Sequence, residues 1–240
     1  RGYLCYNFTI MKTSAVSVPN ISDNIEIPCL WKGTWTMGGK IEPDPHDDNQ
    51  THKKALIHAL KKGVRAFDTA ELYAGGISEK ILGEAIESWD GKRSELFLAS
   101  KINGDNAYPE RIHQACKESL QRMGIKYFDL YYLHWRNLEF DLKAQIESLE
   151  NLVDNGLIKA IGVSNFNTSS LKEAQSYCRK YKIIANQVYW SLHHREAEAD
   201  GLLEYCREQN IGLIAWRPLE KGILLSEGEG IALLDTLVVK

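Results

Sequence analysis

The sequence is short of the features that most often announce a function. Its five cysteines (Cys5, Cys29, Cys116, Cys178 and Cys206) form no C-x-x-C pair. An odd number without paired spacing argues against a disulfide framework and fits reduced thiols in a cytosolic protein. No G-x-G-x-x-G follows any apolar run, so a Rossmann fold loses its best support. No apolar stretch approaches the roughly 20 residues of a membrane span. Residues 1–10 lack the apolar core of a signal peptide. Neither sign of charge dominates: the net charge is −3, which offers a nucleic acid or an anionic membrane no broad surface to hold. His46-Asp47-Asp48 sits in a polar loop with no second ligand pair at metal spacing, so no metal is expected.

What is present is globular. The 240 residues are 44% hydrophobic and 25% charged, enough for one large domain with a sizeable core. Residues 1–26 show no sustained periodicity and are expected to be irregular. The domain proper is expected over 27–240. Residues 27–35 read as a strand ending in glycine turns, and 38–50 as a polar loop. From there the pattern alternates. Helical periodicity over 51–62, 78–88, 109–122, 141–155, 168–180 and 198–209 is interleaved with short β-branched and aromatic runs at 64–67, 96–100, 128–133, 157–163, 183–188 and 211–215. A last helix opens near Gly230. Strands alternating with helices across brief turns predict a parallel sheet of βα units, which right-handed crossovers between neighbours would curl into a barrel.

Three consecutive strands end in residues that packing does not require: Asp68, Lys101 and His134. In a (β/α)8 barrel those ends lie side by side on the face that carries active sites. Tyr73 follows Asp68 on a glycine-loosened turn and is expected to lean in beside them. Taken singly, Asp68 is equally suited to capping a turn, Tyr73 to anchoring, Lys101 to the rim and His134 to the core. Together they make chemical sense. A lysine held by a carboxylate stays charged and lowers the pKa of a nearby tyrosine from about 10 by stabilising the phenolate. A tyrosine so tuned exchanges a proton near neutral pH. A histidine alongside can donate a hydrogen bond to a carbonyl oxygen.

The sequence resembles the aldo-keto reductases at Phe67-Asp68-Thr69-Ala70-x-x-Tyr73, Ser78-Glu79-x-x-Leu82-Gly83, Ser100-Lys101, Leu133-His134-Trp135, Ile161-Gly162-Val163-Ser164-Asn165-Phe166 and Asn186-Gln187. These six motifs fall in family order and spacing over about residues 27–225. The resemblance implies a TIM barrel that binds NADPH and reduces aldehydes or ketones, with Asp68, Tyr73, Lys101 and His134 as the catalytic tetrad and Tyr73 as general acid. It implies that Ser164, Asn165 and Gln187 hold the nicotinamide carboxamide, and that Trp216 stands where the family carries an aromatic that stacks on the nicotinamide. Arg217 and Leu219 would follow along the pyrophosphate, and Gly33, Thr34 and Trp35 would lie at the cofactor's edge. Trp35 and Trp135 would wall the substrate pocket with Tyr73 and His134.

Only seven strands can be placed, with residues 232–237 starting the seventh outer helix. The family's eighth βα unit, which holds the adenosine 2′-phosphate, is therefore expected to be missing from a C-terminally truncated barrel with edges near 27–34 and 211–215. NADP over NAD rests on the resemblance alone. Two other readings stay open: a nicotinamide-sensing regulatory subunit, against which His134 speaks, and a Schiff-base aldolase on Lys101, which leaves Ser164, Asn165 and Gln187 without a task. The substrate and the oligomeric state are not legible.

Overall fold

The computed structural model describes residues 16–19 and 24–225. A hairpin comes first, β1 (Val16–Pro19) antiparallel to β2 (Asn24–Ile27). Seven parallel strands follow: β3 (Trp31–Gly33), β4 (Ala66–Asp68), β5 (Phe97–Ile102), β6 (Leu130–Leu133), β7 (Ile161–Ser164), β8 (Ile183–Tyr189) and β9 (Gly212–Trp216), each hydrogen-bonded to the next in chain order. The crossovers carry α1 (Asn49–Lys61), α2 (Ile77–Glu87), α3 (Pro109–Met123), α4 (Leu142–Asp154) and α5 (Thr168–Tyr177), and then a short α6 (Glu196–Ala199) and α7 (Leu202–Gln209). The sheet curls so that its two edges, β3 and β9, border one cavity.

Local chemistry sets the helix boundaries. Asp48 caps α1 by accepting from the backbone N–H groups of Gln50 and Thr51, Asp141 caps α4 through Lys143, and Asn167 caps α5 through Ser170. Each side chain satisfies an N–H that the first helical turn leaves without an acceptor. Pro109 opens α3, where a missing N–H costs nothing, and Gly124 ends it at φ 64°.

Alternation along the strands sorts side chains into two layers. Ala99, Leu130, Tyr132, Ala160 and Ala185 pack inside the barrel, joined by Ile184 where a register shift between β7 and β8 breaks the alternation, whereas Leu98, Ile102, Tyr131, Leu133, Ile161 and Val163 join the apolar layer under the helices. The same rule turns Lys101 inward with Ala99 and sends Ser100 out, where its hydroxyl donates to Glu79 of α2 at 2.5 Å.

Several boundaries differ from the sequence expectation. Residues 16–19 and 24–26 are strand rather than irregular, and Ile27 ends β2 instead of starting the first barrel strand. Ile27 packs with the interior residues Leu130, Ala160 and Ile184, each at or next to the amino end of a strand, so burial of this side chain recruits the hairpin. The helix expected over 198–209 is broken at Gly201, whose φ of 76° is left-handed. The one expected over 168–180 stops at Tyr177, because the Glu150 carboxylate of α4 captures the N–H groups of Arg179, Lys180 and Tyr181. The helix expected near Gly230 and the start of the seventh outer helix at 232–237 lie outside the described residues.

Candidate active site

The parallel register aligns the strand ends. Asp68 lies opposite Ala99, and Lys101 opposite Tyr132. Lys101 is 0% exposed. Its Nζ donates to Asp68 Oδ1 at 2.6 Å, the Thr69 carbonyl at 2.8 Å and the Tyr73 hydroxyl at 3.1 Å. An ammonium has three N–H groups, so all are used. The other carboxylate oxygen of Asp68 accepts from Gln187 Nε2 at 3.1 Å.

Tyr73 is presented by a strained turn. Ala74 and Gly75 have φ of 49° and 57°, which only glycine adopts freely. The turn is held because Ala74 N–H donates to the Lys40 carbonyl at 2.6 Å and Gly75 N–H to that of Ile41 at 2.8 Å. The Tyr73 ring then meets Trp35 edge-on at 4.9 Å and His134 at 5.9 Å. The structure thus brings Asp68, Tyr73, Lys101 and His134 together.

The electrostatics correct one expectation. Burial pushes the Tyr73 phenol up, Lys101 pulls it down and Asp68 adds a smaller push upward; the net direction is up, not down. Desolvation of the phenolate outweighs the neighbouring cation. Tyr73 therefore keeps its proton at neutral pH. Its oxygen already accepts from Lys101, and no described residue accepts the hydroxyl proton, so that proton is available to the cavity. Burial also opposes the charged form of Lys101, but Asp68 and Tyr73 outweigh it and its pKa ends above the ordinary value. Burial, then Lys101, drives His134 down to about 2, so its ring is neutral, and its Nδ1 has no hydrogen-bond partner among the described residues.

A cavity of about 700 Å³ opens over this cluster. Asp68, Tyr73 and His134 form its polar end, and Gly33, Trp35 and Trp135 line it as expected. Four of the six tryptophans (Trp31, Trp35, Trp135 and Trp216) border it. Ser164, Asn165 and Gln187 occupy a second side. Ser164 Oγ donates to the Gln187 carbonyl at 2.8 Å, and Asn165, at φ 61°, donates from Nδ2 to the His134 carbonyl at 3.0 Å. Trp216 Nε1 donates to Asn165 Oδ1 at 3.0 Å, and the Arg217 guanidinium lies 5.2 Å from the Trp216 ring.

Two expected residues are not brought in. Thr34 is buried and ties its N–H and hydroxyl to the Asp68 carbonyl at 3.0 and 3.2 Å. Leu219 is 62% exposed and does not line the cavity. Sequence reasoning also missed wall residues, Trp31, Ile41 and Leu72, and the two residues that brace Trp216, Tyr189 and Glu220. For Tyr189 a signal existed: two positions after Gln187 on one strand, it shares that residue's face.

Comparison with known proteins agrees with this geometry. The Aldo/keto reductase family model matches residues 30–232. Methylglyoxal reductase YeaE of Escherichia coli (strain K12) is 33% identical over 207 residues, covering 86% of this chain and 69% of the relative. Among solved structures, the thermostable aldo-keto reductase Tm1743, in complex with the inhibitor epalrestat, superposes with a TM-score of 0.79 at 37% identity over 85% of this chain and 72% of that one. An aldo/keto reductase from Klebsiella pneumoniae, in complex with NADP and acetate, does so at 0.76 and 31% identity over 91% and 72%. With the family model spanning most of the chain and a relative one-third identical along it, this chain belongs to the aldo/keto reductase family.

Proposed function

We propose that this chain reduces the carbonyl group of a small aldehyde or ketone with NADPH, Tyr73 donating the proton. The single observation that carries the reading is the saturated Lys101 ammonium, whose third hydrogen bond fixes the Tyr73 oxygen and leaves the tyrosine proton directed elsewhere.

The residues present suit the cofactor. Ser164, Asn165 and Gln187 offer hydroxyl and amide groups beside the tetrad. Trp216 offers an indole face, and Arg217 forms no ion pair among the described residues, leaving a guanidinium free for a phosphate. The Klebsiella pneumoniae relative was crystallised with NADP, and an aldo-keto reductase of the same organism with NADPH, which supports the choice. Ser164, Asn165 and Gln187 would hold the carboxamide end, with Trp216 and Arg217 alongside. When bound, the cofactor supplies hydride for the carbonyl carbon.

The rest falls to the protein. Neutral His134, at the polar end of the cavity beside Tyr73, orients the carbonyl oxygen by hydrogen bonding. Tyr73 delivers its proton as charge develops on that oxygen, and Lys101 stabilises the phenolate left behind. General acid catalysis of this kind contributes about 10² to 10⁴ in rate. The apolar walls, Trp35 and Trp135 among them, exclude water and strengthen each of these interactions. The saturated, charged Lys101 weighs against the aldolase reading, since a Schiff base needs a neutral, accessible amine.

The test follows NADPH consumption against a panel of carbonyl compounds that includes methylglyoxal, the substrate in the relative's name. Turnover lost in Tyr73→Phe is the expected result. NADPH binding without consumption of any carbonyl would favour the sensor, and borohydride trapping of substrate on Lys101 the aldolase.

A further inference from the structure

Trp216 ends β9 and presents two faces. One lies flat on Tyr189, with ring centroids 4.4 Å apart and planes at 13°. The opposite face of Tyr189 lies on His194 at 3.9 Å and 13°. Three rings thus form a column with Trp216 at the end that borders the large cavity.

Besides the bond from Trp216 Nε1 to Asn165 Oδ1, the column is tied at its middle ring. The Tyr189 hydroxyl donates to Glu220 Oε2 at 2.5 Å, and the Ser191 hydroxyl donates to Glu220 Oε1. Ser191 Oγ in turn accepts from the N–H of His194 at 3.0 Å. Glu220 is buried and pairs with no cation among the described residues. The two hydroxyls, Ser191 first, hold its carboxyl below the usual range, so it is an anion at neutral pH.

Glu220 belongs to the loop after β9, the stretch that also carries Arg217. Arg217, Glu220 and Lys221 have φ of 55°, 49° and 54°. Non-glycine residues hold such conformations only where surroundings impose them. The Glu220 carboxylate, reaching back to Tyr189 and Ser191 at the end of β8, ties this segment down beside its own turn bonds, Glu220 N–H to the Arg217 carbonyl and Gly222 N–H to that of Leu219. Beside the column lies a second cavity of about 310 Å³, bordered by Tyr189, His194 and Trp216. An indole whose backing ring is released therefore has space to turn into.

We propose that Glu220 and Tyr189 are positioning residues for the dinucleotide: Glu220 locks the loop after β9 to the end of β8 and fixes Tyr189, which holds Trp216 with one face toward the cofactor. The proposal rests on the NADPH reading above. It assigns neither residue a contact with the reacting atoms. Its effect is preorganisation, since an unlocked loop and indole must be ordered on binding.

The test measures the NADPH dissociation constant by calorimetry for wild type, Tyr189→Phe, Glu220→Gln and the double variant. Near-ultraviolet circular dichroism of the cofactor-free proteins reports the indole environment. Tyr189→Phe keeps the stacked ring and removes only the hydroxyl, so it keeps the proposal testable should Glu220→Gln fold poorly. Each single variant is expected to weaken NADPH binding about 5- to 30-fold and to change the tryptophan dichroism. The double variant should be no more than about twofold worse than the weaker single, because both act on one tie. Turnover at saturating NADPH should stay within about twofold of wild type, since the tetrad is untouched. Binding unchanged in both singles overturns the proposal while leaving the NADPH reading intact. So does a fall in saturated turnover as large as the loss of affinity. A wild-type protein that does not bind NADPH overturns both.

Discussion

Replacing Tyr73 with phenylalanine separates chemistry from architecture. The substitution removes one oxygen, whose single hydrogen bond among the described residues comes from Lys101 Nζ at 3.1 Å. The ring keeps its edge contacts with Trp35 and His134. Lys101 retains Asp68 and the Thr69 carbonyl, and Tyr73 borders the cavity, where water can replace the lost partner. The stability cost should fall at the low end of the 1–3 kcal/mol for an unmade buried hydrogen bond, about 1 kcal/mol. In a protein of this size that lowers Tm by about 2–4 °C. Turnover should fall about 10² to 10⁴ fold, or roughly 2.7–5.5 kcal/mol of transition-state stabilisation. NADPH consumption under saturating conditions measures the loss of turnover, and thermal denaturation the loss of stability. The wild-type pH profile adds a check on sign. Burial holds the Tyr73 pKa above its ordinary value, so the donor stays protonated and reduction should not decline with pH through the neutral range. Alcohol oxidation, which needs the phenolate, should rise with pH throughout. A Tyr73→Phe enzyme with near wild-type turnover, or one that loses activity only in step with a large fall in Tm, would refute the assignment.

Three further outcomes follow from the same geometry. Lys101→Met leaves Asp68 with Gln187 as its only side-chain donor among the described residues; because the Asp68 side chain is 13% exposed, the cost should lie near the low end for a broken buried pair, about 3 kcal/mol, and a loss under about 1 kcal/mol by chemical denaturation would contradict the buried-pair argument. His134 is held near 2 in the folded state against about 6.5 unfolded, so the unfolded chain takes up the proton first and stability falls as pH drops below about 6.5. Between pH 7 and 5 wild type should therefore lose about 2 kcal/mol more than His134→Phe, and equal losses would show that His134 is not buried neutral. Gly83→Ala would place a Cβ 2.5 Å from the Met123 carbonyl oxygen and 2.7 Å from its Cα, so α2 and α3 must part; a net loss of about 1–3 kcal/mol is expected despite alanine's better helix propensity, and a more stable variant would mean that the helices are not in that contact.

Much of the architecture is local and therefore legible. The alternation of strand and helix, their order and most boundaries follow from hydrophobic period, capping residues and short turns, all encoded within a few positions. Asp68, Lys101 and His134 could be placed together for the same reason. Adjacent parallel strands in order must end side by side, and period two along β5 turns Lys101 to the inside with Ala99.

What the sequence could not decide depends on partners far along the chain or on the balance of opposing terms. The hairpin of β1 and β2 exists because Ile27 finds a place among Leu130, Ala160 and Ile184, more than a hundred residues away. Thr34, next to Gly33, turns onto the Asp68 carbonyl instead of the cavity. Glu220 reads as an ordinary loop glutamate until the fold sets it against Tyr189, 31 residues earlier. The Tyr73 pKa is the clearest case. Sequence names the neighbouring cation but not the depth of burial, and desolvation, a property of the packed whole, decides the direction. The identity and order of the clustered polar groups were thus set by the sequence locally, while their solvation, their bracing and the shape of the cavity arise only when distant segments pack, because burial is a sum over everything that surrounds a group.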